Sequence, residues 1–126
     1  MSPDAVLLFL LILKHSFADM FLQTFNKNID KTKYFGRGQI HYSQHSILTF
    51  FICLPFAHGF ECAVLLAMFD HLAHWHIDYW KSTCVKMLKI PRLSFTFYRI
   101  QTVDQMLHFA TYAAIVYLAT IPLFNI

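Results

Sequence analysis

The sequence predicts an all-α integral membrane protein, folded as an antiparallel four-helix bundle in a single domain over residues 1–126. Hydrophobic residues make up 57% of the chain and charged residues only 13%, whereas soluble proteins carry about 25% charged residues. The apolar residues fall into four long runs without two-residue alternation, which favours helices over strands. Backbone groups must be paired inside a bilayer, so each run is expected to form a complete helix. The short or moderate connections favour antiparallel neighbours.

The first apolar run predicts a membrane span over about residues 4–23. Ser2 and Pro3 precede the run, a pattern typical of a helix N-cap followed by a first-turn proline. The run has no basic residue before it and no small-x-small cleavage pattern after it. It is therefore interpreted as a retained span and not as a secretory signal.

Three further spans are predicted at about residues 39–57, 60–80 and 101–124. The two glycines that flank Arg37 interrupt the chain before the second span. His58 and Gly59 form a tight turn between the second and third spans. Residues 82–100, which include Pro91, are predicted to be a basic loop before the last span.

Lysine and arginine are concentrated in two of the three connections. Only Lys14 lies elsewhere, and the other nine are Lys27, Lys31, Lys33, Arg37, Lys81, Lys86, Lys89, Arg92 and Arg99. Because cytoplasmic loops carry an excess of these residues, both basic loops are predicted to be cytoplasmic and both termini periplasmic, in a bacterial inner membrane. The net charge of +3 is too small to indicate a nucleic-acid partner.

Ionisable residues within the predicted spans recur four positions apart. A separation of four places two side chains on the same helix face, and ionisable groups inside a membrane usually serve a function. The pairs are His15/Asp19, His41/His45, Asp70/His74, His74/Asp78 and Asp104/His108. Each span contributes one pair, His74/Asp78 in the third with Asp70 one turn further back. Since the spans alternate in direction, these four pairs are expected at one depth, near the cytoplasmic face.

Imidazole and carboxylate groups at one depth predict a divalent-metal site. This ligand mixture suits Zn²⁺ first, with Fe²⁺ and Mn²⁺ as alternatives. The candidate ligands are His15, Asp19, His41, His45, Asp70, His74, Asp78, Asp104 and His108. They exceed the needs of one four-coordinate ion, so we expect one or two ions, with any surplus carboxylate orienting a histidine. The three cysteines lack a paired spacing and predict neither a thiolate site nor a disulfide.

Further roles follow from position next to this site. The candidate catalytic residues, acting as general bases where they are not ligands, are Asp19, Asp78 and Asp104. The candidate substrate-binding residues are Gln23, Lys81 and Gln105, although anchoring of a helix end is the stronger interpretation for Lys81. His71 and His76 lie off the common face, and an interfacial role is predicted for them.

The sequence also resembles a known family in a set of ordered motifs. These are His15-x-x-x-Asp19 with Leu22-Gln23, then His41, His74-x-x-Ile77-Asp78-x-x-Lys81, and Asp104-Gln105-x-x-His108. They are similar to the domain-of-unknown-function 3307 family of small bacterial and phage membrane proteins. The resemblance covers nearly the whole chain and implies the same residues as the centre, but it implies no particular reaction.

The predicted function is a membrane-embedded, metal-dependent hydrolase that acts on a lipid or phosphorylated membrane-associated substrate. A metal-bound water is nucleophilic near neutral pH, and basic loops at an anionic leaflet suit an anionic head group, although topology alone also accounts for those loops. Two alternatives stay open: a di-iron-type membrane oxidoreductase, and a non-enzymatic protein for metal binding, transport or phage–host membrane interaction. The lipid bilayer is the expected partner, and the sequence leaves oligomerisation open.

Overall fold

The computed structural model describes residues 1–26 and 29–121 and contains four α-helices. They are α1 (Pro3–Met20), α2 (Gly38–Cys53), α3 (Phe60–Met87) and α4 (Phe95–Thr120), with a short 3₁₀-helix (Leu22–Asn26) after α1. These two ranges contain no β-strand, and the predicted all-α class is confirmed. Lys27 and the predicted end of the last span at residue 124 lie outside the described residues.

The start of α1 follows the N-cap pattern predicted from the sequence. The Ser2 hydroxyl accepts a hydrogen bond from the Ala5 backbone N–H at 3.2 Å. Pro3 occupies the first turn, where its missing N–H would have no intrahelical partner in any case. Ser94 caps α4 in the same way, by accepting from the Phe97 N–H at 3.2 Å.

The second helix ends at Cys53, before the predicted boundary at residue 57. Pro55 accounts for this earlier end, because it has no N–H to continue the helical ladder. Leu54 before it still has helical backbone angles. The chain then turns, with the Ala57 N–H donating to the Cys53 carbonyl at 2.8 Å. Gly59 completes the turn with a φ of 104°, a conformation that glycine adopts without steric cost.

The predicted basic loop over residues 82–100 is wrong in its extent. α3 continues to Met87 and α4 already begins at Phe95, so the connection is only residues 88–94. Hydropathy marks where the apolar surface ends, but the backbone hydrogen bonds of α3 continue beyond that point. α3 ends four residues before Pro91, and Ser94 caps the start of α4. At 1.5 Å per residue, α3 is about 42 Å long, which exceeds a hydrocarbon core of about 30 Å.

Neighbouring helices are antiparallel and form a closed ring. α1 and α3 each pack against both α2 and α4. Successive residues along α1 contact successively earlier residues of α2, and successive residues along α3 contact successively earlier residues of α4. The contacts that establish these directions are Lys14–His45 with Asp19–His41, and Asp78–His108 with Lys81–Asp104.

The interior of the bundle changes from apolar to polar along its axis. The apolar end contains Leu7, Leu11, Cys53, Cys62, Ala63, Leu66, Ile115 and Ala119. The buried polar residues are Lys14, His15, His41, His45, Thr49, Asp70, His74, Asp78, Asp104 and His108. They occupy the half of the bundle next to the two basic connections, so the folded chain concentrates its buried charge at one end.

The outer surface of the bundle carries many large apolar side chains. Phe9, Phe51, Met68 and Tyr117, one from each helix, are all more than half exposed. Exposed apolar side chains in this number are typical of a protein that contacts a membrane or another protein.

One helical segment of the described residues, Pro3–Phe25, is long and apolar enough to cross a membrane. Only 28% of its most apolar stretch is buried inside the protein, so most of that stretch faces outward. α2 has 16 residues, and the polar face of α3 and α4 lowers the mean hydropathy of both helices. The four-span topology therefore stays a prediction.

Candidate metal centre

The four helices bring five imidazole rings into one cluster at the polar end of the bundle. The shortest separations between ring centroids are 3.7 Å for His45–His74, 4.1 Å for His74–His108, 4.7 Å for His41–His45 and 4.9 Å for His15–His108. All five rings are buried. Residues four apart share a helix face, and packing of the four faces against one another produces the cluster.

Asp19 lies against three of these rings. Its Oδ2 atom is 3.0 Å from His15 Nε2. Its Oδ1 atom is 2.9 Å from His45 Nε2 and 3.2 Å from His41 Nε2. The Asp19 side chain is 27% exposed, so this carboxylate lies where the cluster is most open to its surroundings.

Asp78 is the second carboxylate of the cluster and joins three helices to the first loop. Its Oδ1 atom is 3.0 Å from His108 Nε2. Its Oδ2 atom accepts a hydrogen bond from Lys31 Nζ at 2.9 Å and lies 3.6 Å from His74 Nε2 and 3.8 Å from His41 Nε2. Asp78 is buried, so these neighbours replace water around its charge.

Asp104 completes the set of carboxylates. Its Oδ1 atom is 3.5 Å from His108 Nε2, and its Oδ2 atom accepts from Gln105 Nε2 at 3.0 Å and from Lys81 Nζ at 3.4 Å. The Gln105 Oε1 atom is also 3.1 Å from His15 Nε2. Two of the predicted substrate-binding residues, Lys81 and Gln105, therefore contact the centre directly.

Three overlapping groups of these side chains could hold a metal ion. In each group one ligand atom per residue lies within 4.8 Å of the others. The groups are His15/Asp19/His45/His74, His41/His74/Asp78 and Asp78/Asp104/His108. His74 is shared by the first two groups and Asp78 by the last two, so the arrangement offers neighbouring positions for ions.

Two imidazoles at the middle of the cluster have no well-directed hydrogen bond among the described residues. Both ring nitrogens of His41 and both of His74 are buried in this way, although His41 Nε2 lies 3.2 Å from Asp19 Oδ1. Buried polar groups are almost always satisfied, and leaving one unpaired costs about 1–3 kcal/mol. Nitrogen lone pairs beside three carboxylates are the donor set that a divalent transition metal takes.

The local charge also favours a cation. Asp19, Asp78 and Asp104 supply three negative charges, while Lys31 and Lys81 supply two positive charges by direct contact. Charge inside a protein is costly unless it is compensated, and a divalent cation bound among these carboxylates would add to the compensation that the two lysines give.

A family assignment accompanies this geometry. Residues 7–126 match the model of the family described as "Protein of unknown function (DUF3307)". The chain belongs to this family. The resemblance predicted from the sequence motifs is confirmed, and the match includes every candidate ligand. No curated protein and no solved structure matched the chain.

Asp70 belongs to none of the three candidate metal groups in the described residues of this chain. Its Oδ2 atom accepts a hydrogen bond from Lys14 Nζ at 2.8 Å and another from the Thr49 hydroxyl. Lys14 Nζ is also 3.3 Å from the Tyr112 hydroxyl and 3.3 Å from His45 Nδ1. The Tyr112 oxygen is in turn 2.7 Å from Nδ1 of His15. Asp70 thus belongs to a buried layer behind the imidazoles.

The interpretation of the sequence missed three members of this layer: Lys14, Thr49 and Tyr112. A local signal for two of them exists, because Thr49 follows His45 by four residues and Tyr112 follows His108 by four residues. On α2 and α4 the buried polar face therefore continues for one more helical turn. Lys14 is the one lysine that lies outside the two basic regions of the sequence, residues 27–37 and 81–99. This isolated position was a signal for a buried role.

A cleft of about 390 Å³ lies beside the centre, at the polar end of the bundle. Gln23, the third predicted substrate-binding residue, lines it together with Lys31 and Lys81. Asp30 also lines the cleft, and the hydrogen bond that its carboxylate accepts from the Thr32 hydroxyl holds the pKa of Asp30 below its ordinary value. The cleft therefore connects the outside of the molecule to the side chains that touch Asp78 and Asp104.

The two histidines off the common face contact the first connection instead. Nε2 of His71 is 2.9 Å from Gln39 Oε1, and Nε2 of His76 is 2.8 Å from the Tyr34 hydroxyl. Trp75 Nε1 donates to the Tyr34 carbonyl at 2.8 Å. Neither histidine belongs to a candidate metal group among the described residues.

Proposed function

We propose that the protein is a membrane-embedded, metal-dependent hydrolase that cleaves an ester bond in a lipid or phosphorylated membrane-associated substrate. The observation that carries this proposal is the position of His41 and His74. Their four buried ring nitrogens have no hydrogen bond among the described residues. Nε2 of His41 lies beside Asp19 and Asp78, and Nε2 of His74 lies beside Asp78. Two ions would use this ligand set most completely, and zinc is the metal that its imidazole and carboxylate donors favour.

Each side chain has a distinct task in the proposed reaction. A metal ion held by these residues would supply a water of lowered pKa and would polarise the bond under attack. Asp19 is the most exposed of the three carboxylates, so it is placed to accept the proton that the attacking water loses. The water oxygen forms a bond to the ester centre, the ester bond breaks, and the leaving alkoxide takes up the proton that Asp19 accepted. Lys31 and Lys81 hold the charges of Asp78 and Asp104 in place.

The membrane placement rests on the distribution of polarity over the whole bundle. At one end of the bundle charged and imidazole groups lie inside, while many large apolar side chains on all four helices are exposed, which is an arrangement suited to lipid as the solvent. The positions of nine of the ten Lys and Arg residues favour both basic connections in the cytoplasm. The proposed metal centre would then open toward the cytoplasmic leaflet.

Cysteine labelling tests this topology. In a chain with Cys53, Cys62 and Cys84 changed to alanine, a cysteine at Lys89 is expected to react with a membrane-impermeant maleimide only in inverted vesicles. A cysteine at His58 is expected to react only in intact cells permeabilised at the outer membrane. Reaction of both positions from the same side, or recovery of the chain in the soluble fraction, would contradict the four-span arrangement.

Metal analysis with two matched histidine variants tests the centre. His74→Ala is expected to lose most of the metal that co-purifies in dodecyl maltoside, because His74 belongs to two of the three ligand groups. His71→Ala is the control, since it removes the same group from α3 but contacts Gln39 outside the centre. Elemental analysis should give one or two zinc ions for the wild type and for His71→Ala. Equal metal content in both variants would contradict the proposed metal centre.

Hydrolysis is measured on the same three preparations. Release of inorganic phosphate from phosphatidic acid in mixed micelles is expected from the wild type and from His71→Ala, and loss of release is expected in His74→Ala or after chelation. A zinc-loaded protein that releases neither phosphate nor fatty acid would contradict the hydrolase. Two irons per chain with a visible charge-transfer band would instead favour the di-iron oxidoreductase.

A further inference from the structure

The cleft beside the centre has the chemistry of an anion site. Its charged and polar lining consists of Gln23, Asp30, Lys31, Thr32, Lys81, Ser82 and Lys86. The ammonium groups of Lys31 and Lys81 already contact Asp78 and Asp104, so Lys86 is the lining lysine without a salt bridge in the described part of the chain. The lining carboxylate is that of Asp30. That carboxylate is occupied locally, because Asp30 accepts hydrogen bonds from the Thr32 backbone N–H at 3.0 Å and from the Thr32 hydroxyl.

Two of the three lysines connect the cleft to the proposed metal centre. Lys31 Nζ is 2.9 Å from Asp78 Oδ2, and Lys81 Nζ is 3.4 Å from Asp104 Oδ2. An anion between these ammonium groups would lie one side chain away from two candidate metal ligands. The position is therefore suitable for a group that is attached to the bond under attack.

The third lysine has a different role. Lys86 is exposed and makes no salt bridge within the described part of the chain, while its side chain lines the cleft. Its ammonium group is therefore available to a ligand. The Ser82 hydroxyl and the Gln23 amide are further hydrogen-bond donors in the same wall, and the oxygens of a phosphate group accept from all of these donors.

The remaining wall of the cleft is apolar. Ile29, Val85 and Phe97 supply it, so a ligand with a charged group and a hydrocarbon part would find a surface for each. A simple inorganic anion would use only the lysine side. The volume of about 390 Å³ lies within the range of pockets that bind small molecules.

On the premise of the metal-dependent hydrolase proposed above, we propose that this cleft binds the phosphate group of the substrate, with Lys86 as a phosphate-binding residue and Lys31 and Lys81 between the phosphate and the centre. The shared chemistry is a phosphate monoester that carries a glycerol or acyl part. A soluble phosphate ester and a phospholipid head group both present it, and the two sources are separated by experiment.

Two lysine variants of the full chain in dodecyl maltoside test the site. Lys86→Gln removes a charge that lines the cleft, and Lys89→Gln removes the same charge three residues later, in the connection after α3 and outside the cleft. The probes are glycerol 3-phosphate in solution and phosphatidic acid in mixed micelles. Lys86→Gln is expected to weaken binding about tenfold or more, because a charged hydrogen bond is lost, while Lys89→Gln should bind like the wild type.

The outcomes separate the sources and the premise. Binding of both probes indicates that the head group suffices, and binding of phosphatidic acid alone indicates that the acyl part is required. No binding to the wild type, or equal weakening by both variants, would overturn the phosphate site. Each titration is repeated after chelation. Purified protein that contains no metal before chelation would refute the hydrolase, whereas the ratio of the affinities of the two lysine variants still reports on the cleft.

Discussion

Replacing Lys14 by methionine is expected to lower the free energy of unfolding by about 3–5 kcal/mol, because it leaves the buried charge of Asp70 without its partner. The side chains of Lys14 and Asp70 are both only 1% exposed, and the atoms of the pair are 2.8 Å apart. Methionine preserves much of the length and apolar stem of lysine but removes the ammonium group. The Tyr112 hydroxyl also loses a neighbouring donor.

Equilibrium unfolding in mixed micelles of sodium dodecyl sulfate and dodecyl maltoside, followed by circular dichroism, measures this loss. Lys89→Met is the matched control, because Lys89 is exposed. The double variant Lys14→Met/Asp70→Leu should recover much of the stability, since an apolar pair often replaces a buried ion pair without net cost. If Lys14→Met and Lys89→Met have the same free energy of unfolding, Lys14 does not compensate the buried charge of Asp70.

Changing Asp78 to asparagine is expected to weaken metal binding by at least about 100-fold. Loss of a residue that only orients a ligand already costs about 10- to 100-fold in affinity, and Asp78 belongs to two candidate metal groups itself. Asparagine keeps the shape of the side chain but has no charge to offer a cation or Lys31. Phosphate release should fall with the metal content.

Competition with a chromophoric zinc chelator measures the affinity, and circular dichroism shows whether the metal-free variant keeps its helices. Asp30→Asn is the matched control, because it makes the same change in the first loop, where the carboxylate contacts Thr32 and not the centre. Wild-type zinc affinity in Asp78→Asn would remove Asp78 from the ligand set. An equal loss in Asp30→Asn would attribute the effect to net charge.

The features that the sequence predicts well are those that depend on residues close together in the chain. The Ser2 cap needs only a hydroxyl and a proline at neighbouring positions, and the face shared by His41 and His45 follows from the helical repeat. The end of α2 near Pro55 was visible for the same reason, although the predicted span overran it. The limits of α3 and α4 were less accessible, because charged residues can continue a helix beyond its apolar surface.

The choice of partners within the site could not be read from local spacing. Asp70 has the same four-residue relation to His74 as Asp78 has, yet one carboxylate contacts Lys14 and the other contacts imidazoles. The difference arises because α1 places the Lys14 ammonium group one turn further along the bundle than Asp19. No property of α3 alone distinguishes the two aspartates.

The first connection shows the same limit more strongly. Lys31 was interpreted only as a topological charge, but its ammonium group reaches Asp78, 47 positions later in the chain. A long flexible side chain can take many partners, and the fold of the connection selects one of them. The cleft lined by Lys31, Lys81 and Lys86 likewise exists only because the first connection packs against the end of α3 and the start of α4.

By itself, the sequence determined that the chain is helical, that its polar groups share one face on each helix, and that the family motifs run through those groups. These properties depend on backbone periodicity and on the neighbours within one or two turns. Only the tertiary structure decided that five imidazoles and three carboxylates meet, that Asp70 pairs with Lys14, and that His41 and His74 have no hydrogen bond within the described ranges. The physical reason is that hydrogen bonds and ion pairs depend on distances of a few ångströms, which the packing of four helices sets.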